Sequence, residues 1–113
     1  MHEYAVTKSL INIVEEEAKR SGANKVTEIK LVIGDLSTIL DESVQMYFDI
    51  LSEGTVAQGA KLIFRRIPAE FRCKTCENVF DKPKSGFECP KCGSLGVPTG
   101  KGKEFYVESL EVE

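Results

Sequence analysis

The stretch FRCKTCENVFDKPKSGFECPKC (residues 71–92) decides how the rest of the chain is interpreted. It holds two CxxC pairs, Cys73 with Cys76 and Cys89 with Cys92, separated by twelve residues. Zinc takes four thiolates in a tetrahedron, and each CxxC turn presents two sulfurs to one side of the ion. We therefore predict a structural zinc site, because four protein ligands leave no coordination position for a substrate.

Two other classes of CxxC protein are alternatives to this prediction. A thioredoxin-like redox motif is a single CxxC that opens a helix after a strand, and neither pair has that setting. Nucleic-acid-binding zinc ribbons are closer, since residues 72–103 contain seven Lys/Arg against three acidic residues. Four thiolates with Zn²⁺ carry about −2 and offset much of that excess. The whole chain carries a formal charge of −3, so no nucleic-acid partner is expected.

Helix and strand patterns flank the cysteine segment. Apolar residues recur at helical spacing from Glu3 to Arg20, and a second helix is expected from Asp41, as its N-cap, to Gly54. Strand patterns cover 25–33, 60–67 and 104–113. This order predicts an α+β fold, with two helices packed on a small three-stranded sheet and an inserted four-cysteine zinc-ribbon-like module.

Length and composition limit the number of hydrophobic cores and the cellular location of the protein. The 113 residues are 42% hydrophobic and 29% charged, enough for one modest core. We expect an α/β domain of residues 1–68 plus 104–113, and a zinc-binding domain of residues 69–103 that needs its metal to fold. No apolar run approaches the roughly 20 residues of a membrane span, and no secretory pattern opens the chain. A cytoplasmic protein without a membrane partner is expected, which agrees with metal-bound cysteines.

The first three residues, Met1, His2 and Glu3, form a second candidate site. His2 is the only histidine of the chain. An α-amine, deprotonated backbone amides and an imidazole together make a nitrogen-rich chelate, which suits Ni(II) or Cu(II). Glu3 adds a carboxylate that can ligate the ion or orient the imidazole. The alternative is that His2 is an ordinary solvated side chain near a terminus.

The chain as a whole resembles the HypA/HybF family of nickel metallochaperones. The resemblance covers essentially the full length, and the opening MHE together with a late pair of CxxC motifs is its most specific part. The matching segments are MHE (1–3), VIGDL (32–36), FRCKTC (71–76), CPKCGS (89–94) and LEV (110–112).

The resemblance implies a protein that is not an enzyme and that delivers nickel during the maturation of [NiFe]-hydrogenase. It implies Ni²⁺ as cargo at Met1, His2 and Glu3, and structural Zn²⁺ on the four cysteines. The implied partners are a HypB-type maturation GTPase and the hydrogenase large subunit. GTP hydrolysis would belong to the partner, because the chain has no GxxxxGK[ST] loop. No nucleophile–base pair is evident in the chain either.

One departure from the family pattern limits which residue roles can be carried over from the family to this chain. Some relatives have histidines beside the CxxC motifs, whereas this chain has Asn78, Gly93 and Ser94 there. A mechanism that needs a second imidazole is therefore not expected. The sequence leaves open whether the protein forms a homodimer and whether urease is also served. The alternative function is a zinc-ribbon adaptor that binds protein or nucleic acid and has an inert N-terminus.

Overall fold

The computed structural model describes residues 2–84 and 86–113, and only the backbone of His2. Its strands form two three-stranded sheets, with the orders β2-β1-β6 and β4-β3-β5. The predicted fold class is confirmed, but the second sheet, which lies wholly within the cysteine module, was not predicted. The elements are α1 (His2–Arg20), β1 (Val26–Gly34), a 3-10 turn (Asp35–Ser37), α2 (Asp41–Leu51), β2 (Lys61–Ile67), β3 (Glu70–Cys73), β4 (Val79–Asp81), β5 (Gly96–Pro98) and β6 (Phe105–Val112).

The two helices each bury one apolar face, as residues at helical spacing require. They contact each other, and the rings of Tyr4 and Tyr47 meet edge to face with their centroids 5.6 Å apart. In the part of the chain that the structure describes, no helix has the length and apolar content of a membrane span. The buried residues of these faces are Leu10, Ile11, Val14 and Ala18 of α1 and Val44 and Phe48 of α2.

The predicted N-cap of the second helix is wrong. Asp41 is the first helical residue, and the N-cap is Leu40, which is extended and makes no capping hydrogen bond through its side chain. Asp41 and Glu42 therefore lie in the first turn, where acidic side chains are favoured by the helix dipole. The helix ends at Leu51, before the predicted Gly54.

The chain divides into two compact units. One consists of residues 2–32, 39–65 and 106–113, and the other of Ile33–Thr38 and Arg66–Phe105. The second unit, called the cysteine unit below, thus includes a short segment that is distant in sequence. The functional domains predicted above, 1–68 plus 104–113 and 69–103, remain a prediction.

The segment Ile33–Thr38 is held in the cysteine unit by its backbone. The Gly34 amide donates to the Glu104 carbonyl, and the Leu36 amide donates to the Gly102 carbonyl, both at 2.7 Å. A Cβ atom on Gly34 would lie 2.0 Å from the Gly102 carbonyl oxygen, so only glycine permits this approach. The Leu36 side chain packs against a buried cluster of Ala69, Phe71, Cys73, Phe80 and Cys89.

Candidate metal centre

The three short strands of the cysteine unit place one CxxC pair beside the other. Strand β3 pairs antiparallel with β4 on one side and with β5 on the other, and Cys73 lies opposite Gly96. A Cβ on Gly96 would lie 2.6 Å from the Phe80 ring, which explains why glycine stands there. Because Cys73 ends β3, the first CxxC turn starts where the sheet ends, next to the second pair.

The four cysteine sulfurs form a single cluster. All lie within 4.8 Å of one another, with 3.3 Å between the Cys73 and Cys92 sulfurs and 3.6 Å between those of Cys76 and Cys89. Tetrahedral zinc with bonds of about 2.3 Å places its sulfurs about 3.8 Å apart. The residues therefore fit a Zn²⁺ ion, and the donor set of four sulfurs suits zinc.

Each CxxC pair sits on the same kind of backbone turn. The Cys73 amide donates to the Asn78 carbonyl at 2.8 Å, and the Cys89 amide donates to the Ser94 carbonyl at 2.7 Å. The residue after each pair, Glu77 or Gly93, has a positive φ, of 60° and 78° respectively. The repeat visible in the sequence thus produces two equivalent turns, and Glu77 accepts a backbone conformation that favours glycine.

Backbone amides point at the sulfurs in both turns. The Thr75 and Cys76 amides lie 3.4 Å and 3.5 Å from the Cys73 sulfur, and the Lys91 amide lies 3.4 Å from the Cys89 sulfur. Hydrogen bonds of this kind stabilise a thiolate relative to a thiol. Metal ligation needs the thiolate, so these amides prepare the sulfurs for an ion.

The pKa values of the cysteines differ within the cluster. Desolvation raises the pKa of Cys89, but hydrogen bonds from the Cys92 and Lys91 amides and the Asn78 side chain outweigh it and lower that pKa to about 6. The Asn78 amide lowers the pKa of Cys76, but desolvation and the neighbouring thiols raise it to about 11. The sulfurs thus lie close enough for each to affect the pKa of its neighbours.

Aromatic side chains support the cluster. The Phe71 side chain is buried together with Cys73 and Cys89. The Phe87 ring lies 5.5 Å from Phe71 but remains 46% exposed, with the Lys82 ammonium 5.0 Å from its centroid. The ring of Phe80, which no sequence pattern indicated, stacks on Phe71 with the centroids 6.2 Å apart.

The predicted nickel ligands are only partly within the described residues. Met1 and the side chain of His2 lie outside them, whereas Glu3 occupies the first turn of α1. A hydrogen bond from its own backbone amide is the largest cause that lowers the pKa of Glu3, and the Leu40 amide contributes in the same direction. The buried Thr7 hydroxyl donates to the Glu3 carbonyl. Glu3 therefore presents a charged carboxylate at neutral pH.

Comparison with known proteins places the chain in a family. A family model described as "Hydrogenase/urease nickel incorporation, metallochaperone, hypA" matches residues 1–112. The chain belongs to the HypA family. A hydrogenase maturation factor HypA from Caldanaerobacter subterraneus subsp. tengcongensis is 51% identical over all of both chains. A HypA from Dehalococcoides mccartyi is 42% identical over all of this chain and 95% of its own length.

Solved HypA structures share the fold. One solution structure of a HypA protein matches with a TM-score of 0.70 and 33% identity over all of this chain and 97% of that one. The solution structure of the Ni metallochaperone HypA from Helicobacter pylori matches with a TM-score of 0.65 and 32% identity over 97% of this chain and 96% of that one. This HypA-family chain is thus a nickel metallochaperone by family, with a four-cysteine centre compatible with structural zinc.

Proposed function

We propose that this HypA-family chain binds one Ni(II) at Met1, His2 and Glu3 and delivers it to the large subunit of [NiFe]-hydrogenase with a HypB-type GTPase. The proposal is carried by the family match, which extends over residues 1–112 and includes the MHE opening. Nickel is the cargo of this process. Delivery to urease is a second target that fits the family description.

The position of this ligand set suits reversible binding. The amides of the first helical turn have no acceptor within the helix, so ligation there does not require breaking the hydrogen bonds of α1. The chelate has several separate donors, which an acceptor protein can replace one at a time. The charged Glu3 carboxylate adds attraction for a divalent cation. A weak, exchangeable nickel site follows from these properties.

The four cysteines, in the same proposal, hold Zn²⁺ for structure. When bound, zinc supplies cross-linking of the two CxxC turns and folding free energy to a unit whose buried cluster is small. The amides of Thr75, Cys76 and Lys91 orient and stabilise the thiolates. All four ligand positions are filled by protein, so the site is closed to nickel transfer.

Calorimetric titration of Ni(II) into the zinc-loaded chain tests the N-terminal site. We expect one nickel per native chain, and loss of binding both in His2→Ala and in a chain extended by one residue before Met1. Lys8→Ala, an exposed change on α1, is the matched control and should bind like the native chain. Equal binding by all the variants would contradict the proposal and favour an adaptor function with an inert N-terminus.

Delivery is tested separately with the proposed acceptor. Nickel-loaded native chain should transfer its metal to the apo large subunit faster in the presence of the GTPase and GTP than in their absence. Transfer that is unchanged by the GTPase would remove that partner from the proposal while leaving the nickel site intact.

A further inference from the structure

Asn78 contacts both turns of the cysteine cluster. Its side-chain nitrogen Nδ2 lies 3.6 Å from the Cys89 sulfur, in the second CxxC turn. Its main-chain carbonyl accepts from the Cys73 amide at 2.8 Å, in the first turn. One residue that is neither a cysteine nor part of a CxxC pair thus links a ligand of each pair.

The side chain of Asn78 faces one of the two buried sulfurs of the cluster. Cys89 is only 3% exposed, whereas Cys76 and Cys92 are exposed and can receive hydrogen bonds from solvent. A thiolate accepts hydrogen bonds and donates none, so the Asn78 amide must turn its NH₂ group towards it. A buried anion without such donors carries a large desolvation cost, which Asn78 and the Lys91 amide offset together.

We propose that Asn78 is a positioning residue of the zinc site, which donates to the Cys89 thiolate and so fixes its orientation and electron density as a ligand. The inference rests on the proposed assignment of zinc to the four cysteines. Groups that hydrogen-bond a metal ligand commonly change metal affinity by about 10-fold to 100-fold when they are removed. We therefore expect zinc to be released about tenfold faster without this donor.

Three substitutions separate hydrogen bonding from shape. Asn78→Leu removes the donor at similar size, and Asn78→Asp keeps the shape but places a carboxylate against the thiolate. Thr99→Val is the matched control, because it removes a side-chain hydrogen bond of the same unit, from the Thr99 hydroxyl to the Glu70 carboxylate at 2.9 Å, that lies outside both CxxC turns. Both Asn78 variants leave the main-chain carbonyl bond to Cys73 available.

The measurements are the rate of zinc release to a chromogenic chelator and the absorption spectrum of the Co(II)-substituted chain. The expected order of release rates is Asn78→Asp fastest, then Asn78→Leu, with Thr99→Val equal to native. In Asn78→Leu the sulfur-to-cobalt charge-transfer band should move to lower energy, because the sulfur lone pair loses a hydrogen bond, while the tetrahedral d–d bands stay in place. If Asn78→Asp fails to load metal at all while Thr99→Val loads normally, the result supports the inference as the extreme form of the expected order.

Two results would overturn the inference. If Asn78→Asp behaves like native while Asn78→Leu releases zinc quickly, the residue acts through its shape. If both match native in rate and spectrum, the contact has no effect on the site. If the Co(II) spectrum of the native chain lacks the charge-transfer intensity of four thiolates, the zinc assignment itself is refuted. A wrong zinc assignment can thus be told apart from a wrong role for Asn78.

Discussion

Replacing Gly34 with alanine would test how the segment Ile33–Thr38 is held in the cysteine unit. Gly34 has φ −80° and ψ 143°, a conformation open to any residue, so the substitution introduces no backbone strain of its own. The added Cβ would lie 2.0 Å from the Gly102 carbonyl oxygen and 2.1 Å from its carbon. These are main-chain atoms and cannot rotate away, so the segment must move off the unit.

The expected cost follows from the bonds that this movement breaks. The Gly34–Glu104 and Leu36–Gly102 backbone hydrogen bonds, both 2.7 Å long, are each worth about 0.5–1.5 kcal/mol. Forcing an extra methyl into a close contact adds about 1–3 kcal/mol. The sum is about 2–6 kcal/mol, and the lower value already corresponds to an amide-exchange rate about 30-fold higher.

Hydrogen exchange of the zinc-loaded chain measures this free-energy cost at individual backbone amides. In Gly34→Ala, the Leu36 amide should exchange at least about 30-fold faster than in the native chain. Gly22→Ala is the control: Gly22 has φ 73° and open space around its Cβ position, so that change adds local strain in the other unit and leaves Leu36 protected. Native-like protection of Leu36 in Gly34→Ala would show that the close contact with Gly102 is not rigid and refute the reasoning.

Three further predictions concern the metal sites and the helical core. Cys76→Ser leaves three thiolates, so residues 71–102 should become sensitive to limited proteolysis while the helical circular dichroism remains. Uniform digestion of the chain would show that the two units unfold together. Phe48→Ala removes a ring that is 1% exposed and should lower the free energy of unfolding, measured in urea, by about 3–5 kcal/mol. Met46 is 51% exposed, so Met46→Ala should change that free energy by less than about 0.5 kcal/mol. Similar losses in the two variants would place Phe48 outside the core. Nickel affinity should rise from about pH 6 to pH 8, because the imidazole and α-amine must lose their protons to bind, and a flat calorimetric profile would exclude them as ligands.

Local patterns in the sequence were sufficient for the helices and the metal cluster. The spacing of Leu10, Val14 and Ala18 predicts which face of α1 is buried, because helical geometry places such residues on one side whatever they pack against. The two CxxC pairs predict the sulfur cluster for a similar reason, since a CxxC turn brings its own two sulfurs together. The N-cap of α2 was less predictable: the sequence favours Asp41, but in the structure the N-cap residue is Leu40.

Other features depend on contacts between distant residues and had no local signal. The sheet of β3, β4 and β5 consists of strands of three or four residues, too short for an alternating pattern to stand out. Phe80 becomes part of the core only because β4 places it beside Phe71. The predicted nickel ligands Met1 and His2 remain a prediction that rests on chemistry and family membership.

The sequence by itself determined the zinc-type ligand set, the helical faces and the family, because each is written in residues that are close together or in the full-length pattern of residue types. Only the tertiary structure decided that the cross-pair sulfurs of Cys73 and Cys92 lie 3.3 Å apart and that Asn78 reaches Cys89. It also decided that Gly34 touches Gly102, 68 positions further along the chain. Such contacts follow from how strands and turns meet in space, which periodicity and motif spacing do not encode.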